Sequence, residues 1–204
     1  MKQIVLATNN DHKLVELRRL FKNGGLEVEV LGLADVPPYE VPPENRRSFE
    51  GNALLKARAA MHATGLPSLA DDSGLEVDLL NNMPGVRSSR WAGVDATDEE
   101  NTALLVRQLA DTEETQRTAR FVAVIAVVMP DGREEVVRGT MNGRIVLEPR
   151  GSFGFGYDPI FVAEEYDVTN AELQPEVKDE ISHRGKAMRA VGRRLRKLMD
   201  TEPL

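Results

Sequence analysis

The chain has 204 residues, is 41% hydrophobic and 29% charged, and carries a net charge of −7. It holds no cysteine, which excludes disulfides and thiolate–metal sites, and no apolar run approaches a membrane span. The acidic balance argues against general binding to a nucleic-acid backbone, and a cytoplasmic protein of one compact domain over residues 1–204, in two lobes, is expected.

Ile4 to Ala7 reads as a short buried strand. The polar turn Thr8-Asn9-Asn10-Asp11 follows, then a helical period at Leu14, Leu17 and Phe21, stopped by Asn23-Gly24-Gly25. Glu27 to Leu33 alternates like a strand. Asp35 to Arg47 holds four prolines and is expected to be a loop. Ser48 is a candidate N-cap for a helix running to Thr64, with Gly65 as its stop. Leu66 to Ala70 predicts a short strand leading into Asp71-Asp72-Ser73-Gly74, whose composition also suits a turn; Leu75 to Leu80 predicts the next strand, and Asn81 to Gly93 a loop.

Thr97-Asp98-Glu99-Glu100 has the capping-box pattern and opens a helix to Leu109. Phe121 to Met129 is nearly all apolar and reads as a central strand. Pro130-Asp131-Gly132 predicts a hairpin turn into Glu134–Arg138, and Met141 to Leu147 a separate strand. A glycine-rich loop spans Gly151 to Asp158. Thr169 to Glu172 repeats the capping-box pattern. The last helix is placed at Gly185 to Met199, with six basic residues, Lys186, Arg189, Arg193, Arg194, Arg196 and Lys197, whose plainest reading is a solvated face. Alternating elements with a run of strands in the middle predict an α/β fold with a mixed sheet.

Four segments carry candidate chemistry. The turn at Thr8, Asn9, Asn10, Asp11 and His12, with Lys13 behind it, presents backbone N–H groups and a cation that suit phosphate. It does not match the P-loop pattern. Asp71 and Asp72 are adjacent carboxylates whose repulsion a hard divalent cation relieves, and Mg²⁺ prefers one or two carboxylates plus phosphates and water. Adjacent strand residues face opposite ways, so one Asp is expected at the metal and the other in an anchoring role. Gly151 to Asp158 alternates glycines with Phe153, Phe155 and Tyr157, offering a close backbone and a stacking face. Lys178 and Ser182-His183-Arg184 supply cations for phosphate or a base edge. Ser182 also reads as a plain N-cap and His183 as a surface residue. Glu40 and Glu44 in the proline loop are further metal-ligand candidates.

In this order the segments resemble the inosine triphosphate pyrophosphatase family. The matching residues are Ala7-Thr8-Asn9-Asn10 with Lys13, Ser48-Phe49 with Asn52-Ala53 and Lys56-Ala57, and Ala70-Asp71-Asp72-Ser73-Gly74-Leu75. They continue with Pro84-Gly85-Val86, Ser89-Arg90, Phe155-Gly156-Tyr157-Asp158-Pro159 and Ser182-His183-Arg184-Gly185. The resemblance implies an elongated two-lobed α/β fold around a central mixed sheet flanked by helices, with the active-site cleft between the lobes. It implies a homodimer that hydrolyses ITP, dITP and XTP to the monophosphate and pyrophosphate, with Mg²⁺ as cofactor. It places Thr8 to Lys13 on the phosphates and makes Asp72 the catalytic acid/base residue and a Mg²⁺ ligand, with Glu44 the best match for a second ligand. Ser73 falls on the substrate, and Phe155, Gly156, Tyr157 and Asp158 on base and sugar. Lys178, His183 and Arg184 complete the nucleotide pocket. Two other readings stay open: a related pyrophosphatase for modified pyrimidines or methylated nucleotides, and a metal-independent nucleotide- or RNA-binding module using the basic last helix.

Overall fold

The structure, a computed structural model, describes residues 2–8 and 11–200, without the side chains at 11, 12, 16, 20, 23 and 200. It is an α/β fold in which a mixed sheet is flanked by helices. The strands are β1 (Lys2–Leu6), β2 (Val28–Leu31), β3 (Ser68–Val77), β4 (Met83–Pro84), β5 (Thr118–Val128), β6 (Glu134–Ile145) and β7 (Phe161–Ala163). The helices are α1 (Asp11–Asn23), α2 (Phe49–Thr64), α3 (Asp98–Gln108), α4 (Pro175–Ile181) and α5 (His183–Asp200). Neighbouring strands follow the order β2-β1-β3-β5-β6-β7, with β4 paired to β3. β1 is parallel to β2 and β3, whereas β4 is antiparallel to β3 and β7 to β6.

The chain forms two compact units. The first comprises residues 1–72, 124–138 and 187–204, and the second residues 73–123 and 139–186. In the first unit, Ile4, Val5 and Leu6 of β1 and Leu69 and Ala70 of β3 are buried, as are Phe49 and the alanine face Ala53, Ala57 and Ala60 of α2. α2 begins where the capping argument puts it: Ser48 Oγ accepts from Gly51 N at 3.1 Å, and Gly65 closes the helix at φ 69°. The basic residues Arg189, Arg193, Arg194, Arg196 and Lys197 of α5 are exposed, while Ala187, Met188, Val191 and Leu195 are buried, the solvated face that the sequence suggests. The second unit is built around Leu75, Val77, Leu105, Phe121, Ile145 and Phe161. Tyr157 OH donates to the carbonyl of Ser88 at 2.8 Å, so the base of the glycine-rich loop is pinned within that unit.

Several predicted boundaries change. The two strands expected before and after Asp71 to Gly74 are one continuous strand, β3, with these four residues in its middle. Burial and ladder pairing at both ends override the turn preference of Asp, Ser and Gly. The two strands expected at 134–138 and 141–147 are the single strand β6. The loop expected at Asn81 to Gly93 contains β4 and a 3₁₀ turn at Gly85–Arg90. The Thr169 to Glu172 pattern closes a turn, with Glu172 Oε2 accepting from Thr169 N at 2.7 Å, and the next helix, α4, starts at Pro175. Among the described residues, no helix is long and apolar enough to cross a membrane.

Candidate active site

The register Leu6↔Leu69 fixes the first cluster, because it lays the end of β1 beside the Asp71-Asp72 pair of β3. Ala7 N donates to Leu69 O at 2.8 Å. Thr8 follows, half-buried, and leads toward α1. Asn9 and Asn10 lie outside the described residues, as do the side chains of Asp11 and His12. Lys13, in the first turn of α1, reaches Asp71 Oδ2 at 2.6 Å.

Asp71 and Asp72 are 4% and 7% exposed. As adjacent strand residues they point their side chains to opposite faces, and their partners differ accordingly. Asp71 is held by Lys13 from α1, whereas Asp72 Oδ2 accepts from Asn52 Nδ2 of α2 at 2.9 Å. Arg46 N donates to Asn52 Oδ1 at 2.9 Å, which fixes the amide so that its NH₂ faces Asp72. Lys56, one turn further along α2, donates to the carbonyl of Asp71 at 2.6 Å and to Glu44 Oε1 at 2.5 Å. Asn52 and Lys56 are spaced i, i+4, so one helical face delivers an amide to the Asp72 carboxylate and an ammonium to the Asp71 carbonyl and Glu44.

Burial is the main cause that pushes the Asp72 carboxyl up to about 6. Lys56 and the Asn52 hydrogen bond pull it down, and the carboxylates of Glu44 and Asp71 push it up further. Of the two acids considered in the proline loop, Glu44 is the one brought to this cluster; Glu40 is exposed. Asn52 and Lys56 fall within the segments quoted for the family resemblance, but their roles were not legible there. The available signal was their helical spacing beside the buried Ala53 and Ala57.

The second cluster lies in the second unit. Ser73, the next residue of β3, is half-buried. In the glycine-rich loop, Gly154 sits at φ 78° and Gly156 at φ 59°. A Cβ on Gly154 would meet Asp158 Oδ2 at 2.2 Å, so the loop closes over Asp158 only with glycine there. Asp158 is 3% exposed and accepts from Phe155 N at 2.9 Å and from Lys178 Nζ. Gly156 N donates to Asp98 Oδ2 at 2.8 Å.

This arrangement leaves the Phe155 ring 59% exposed. Lys178 Nζ stands 5.4 Å and the Arg184 guanidinium 5.5 Å from its centroid. An exposed ring beside two cations is suited to stack a planar base that carries phosphates. Tyr157 is buried, and burial with the nearby Asp98 carboxylate keeps its phenol protonated well above the usual range. His183 is buried too, not a surface residue, and its imidazole stacks on Phe121 at 4.9 Å and 12° between planes. Ser182 Oγ accepts from Gly185 N at 2.9 Å, which makes it the N-cap of α5. The Nε of Arg184 is buried without a hydrogen-bond partner.

Comparison with known proteins adds to this geometry. The Ham1 family model matches residues 4–193. The chain is 57% identical over 193 residues to the dITP/XTP pyrophosphatase of Cutibacterium acnes, covering 94% of this chain and 95% of that one. The crystal structure of the nucleoside-triphosphatase / dITP/XTP pyrophosphatase from Mycobacterium abscessus is similar at TM-score 0.81 and 51% identity, covering 93% of this chain and 97% of that one. The Staphylococcus aureus Ham1 protein is similar at TM-score 0.88 and 40% identity, covering 97% and 100%.

Proposed function

The chain belongs to the Ham1 family, and we propose that it hydrolyses non-canonical purine nucleoside triphosphates, ITP, dITP and XTP, to the nucleoside monophosphate and pyrophosphate. The observation that carries this reading is the buried carboxylate Asp72, held by Asn52 and faced by Lys56 and Glu44. Relatives named dITP/XTP pyrophosphatase that share half or more of their residues with this chain support the substrate class. The enzyme is read as a cytoplasmic homodimer.

The donor chemistry of the first cluster fits Mg²⁺. Among the described residues no group of three or more His, Asp or Glu makes a closed metal cage. Mg²⁺ is commonly held by one or two carboxylates with substrate phosphates and water completing its shell. Asp72 and Glu44 would hold it, and a divalent cation also offsets the cost of ionising a carboxyl that burial pushes up to about 6. When bound, Mg²⁺ supplies charge neutralisation and a water of lowered pKa.

The protein's own groups do the rest. Asp72, ionised at neutral pH, accepts a proton from the attacking water or orients it toward the α-phosphorus. Asn52 fixes the carboxylate rotamer. Thr8 to Lys13 bind the phosphates, and Lys178 and Arg184 offset the charge of the triphosphate; electrostatic support of this kind is the main demand of phosphoryl chemistry. Ser73 contacts the substrate. Phe155 to Asp158 form the base and sugar site, and His183 and Arg184 complete it. Inosine and xanthine present a 6-keto acceptor where adenine presents an amino donor. A buried donor such as Arg184 Nε, left unpaired by adenine, costs roughly 1–3 kcal/mol.

Pyrophosphate release from ITP, XTP, dITP, ATP and GTP, each with Mg²⁺ or EDTA, tests the assignment. Fast release confined to ITP, dITP and XTP with Mg²⁺ is expected. Nucleotide binding that persists in EDTA without turnover would instead support the binding-module reading. Because Asp72 must be ionised, kcat/KM is expected to fall as pH drops through about 6 in low Mg²⁺, and saturating Mg²⁺ should move that limb to lower pH. A profile flat from pH 5 to 8 would remove Asp72 from this role. Phe155→Ala is expected to raise KM for ITP by roughly five- to a hundredfold, the range for loss of an aromatic–base stack, with kcat little changed. An unchanged KM would take Phe155 out of the base site.

A further inference from the structure

Asn170 lies in the turn after β7 and is fully buried. Its Nδ2 donates to Asp158 Oδ1 at 3.2 Å. The same carboxylate accepts from Phe155 N, which fixes the loop carrying the exposed ring, and from Lys178 Nζ, which stands over that ring. One carboxylate therefore sets the two groups that meet the base, and Asn170 is the third donor that fixes the carboxylate.

The turn that carries Asn170 is itself a firm support. Asn170 N donates to Phe161 O at 2.8 Å. Ala171 O accepts from both Ser152 N and Phe153 N, each at 2.9 Å, and Thr169 Oγ1 donates to Arg150 O at 2.8 Å. A Cβ on Gly151 would meet the Ala171 carbonyl at 2.2 Å, so the glycine-rich loop rests directly on this turn. The Asn170 side chain contributes one thing that an apolar residue of similar shape could not. Its Oδ1 is buried with no hydrogen-bond partner, a cost that such a residue would avoid. What the amide adds is the donor to Asp158.

We infer that Asn170 is a positioning residue for nucleotide binding: it orients Asp158 so that Phe155 and Lys178 present one geometry to the base. This rests on the reading of the second cluster as the base site. Asn170 acts through Asp158 and not on the substrate itself, so its removal acts on KM rather than on the chemical step.

Steady-state hydrolysis of ITP by Asn170→Ala and Asn170→Asp tests the inference, with melting curves to establish folding. Asn170→Ala is expected to raise KM roughly tenfold while kcat stays within about twofold. The isosteric Asn170→Asp keeps the shape if the alanine variant does not fold. The charged groups facing this position are Asp158 and Lys178, with Glu172, whose Oε2 accepts from Thr169 N and lies 3.5 Å from Arg150 Nε. Near pH 8, two carboxylates repel and KM rises. As pH falls, the introduced carboxyl, whose charged form burial and the neighbouring Asp158 disfavour, takes up a proton, donates to Asp158 and brings KM back toward that of the unmodified protein at the same pH. A KM for Asn170→Asp that equals the unmodified value at every pH would overturn the inference. So would a raised KM with no pH dependence. Absence of turnover in the unmodified protein would instead sink the underlying pyrophosphatase reading, so the two failures are distinguishable.

Discussion

Asp72→Asn is expected to reduce pyrophosphate release from ITP by at least about a thousandfold, since it removes the charge proposed to hold the metal and the proposed proton acceptor. The same variant is expected to be more stable than the unmodified protein in metal-free buffer at pH 8. The reason is the burial that pushes the Asp72 carboxyl up from 3.8 to about 6. With the folded value above the unfolded one, the folded state binds more protons between about pH 4 and pH 6. Stability therefore declines as pH rises through that window and stays reduced above it. Asparagine has no such loss, keeps the shape, and can still accept from Asn52 through its carbonyl. A shift of this size corresponds to at most about 3 kcal/mol, or several degrees in Tm for a chain of this length. Melting curves from pH 4 to 8 read the effect directly. An asparagine variant with near-normal turnover would show that Asp72 is not the acid/base residue. One less stable than the unmodified protein at pH 8 would show that the buried charge is not a cost to the fold.

Lys56→Met is the second large effect. The ammonium bridges Glu44 Oε1 and the Asp71 carbonyl, and its side chain is 12% exposed. It is the main charge pulling Asp72 down against burial. Methionine fills most of the same volume but leaves Glu44, Asp71 and Asp72 without that cation. The acidic limb of kcat/KM is expected to move to higher pH, and kcat/KM at pH 8 to fall by about ten- to a hundredfold, the range for a group that supports a metal ligand, if Glu44 and Asp72 hold the metal as proposed. Lys56→Arg keeps the charge and should keep the limb near its original position. If Lys56→Met left the limb unmoved, the Asp72 carboxyl would not be governed by this contact.

How much of this was legible in the sequence depends on the physical scale of each feature. The family likeness rested on motifs along nearly the whole chain, and it is borne out by the Ham1 match. Ser48 and Gly65 marked α2 because capping is a local interaction between residues three or four apart. β3 is split in the sequence because Asp71 to Gly74 has turn composition, while its strand state depends on a ladder with β1, some sixty residues away. β7 is three residues long and lies too close to the glycine-rich loop for a periodic pattern to show. α4 carried a usable signal, Pro175 at its first turn, beside the misleading Thr169 and Glu172 pair. In the candidate site, the carboxylates and cations stood out as residue types. Their pairing did not: Lys13 with Asp71, Asn52 with Asp72, and Asn170 with Asp158 join residues between 12 and 58 positions apart.

The most direct test of the central claim is the fate of solvent oxygen. ITP and Mg²⁺ are incubated with the protein in H₂¹⁸O, and the products are weighed by mass spectrometry. Attack at the α-phosphorus predicts one ¹⁸O in IMP and unlabelled pyrophosphate. Label in pyrophosphate, or IDP with labelled inorganic phosphate, would contradict it.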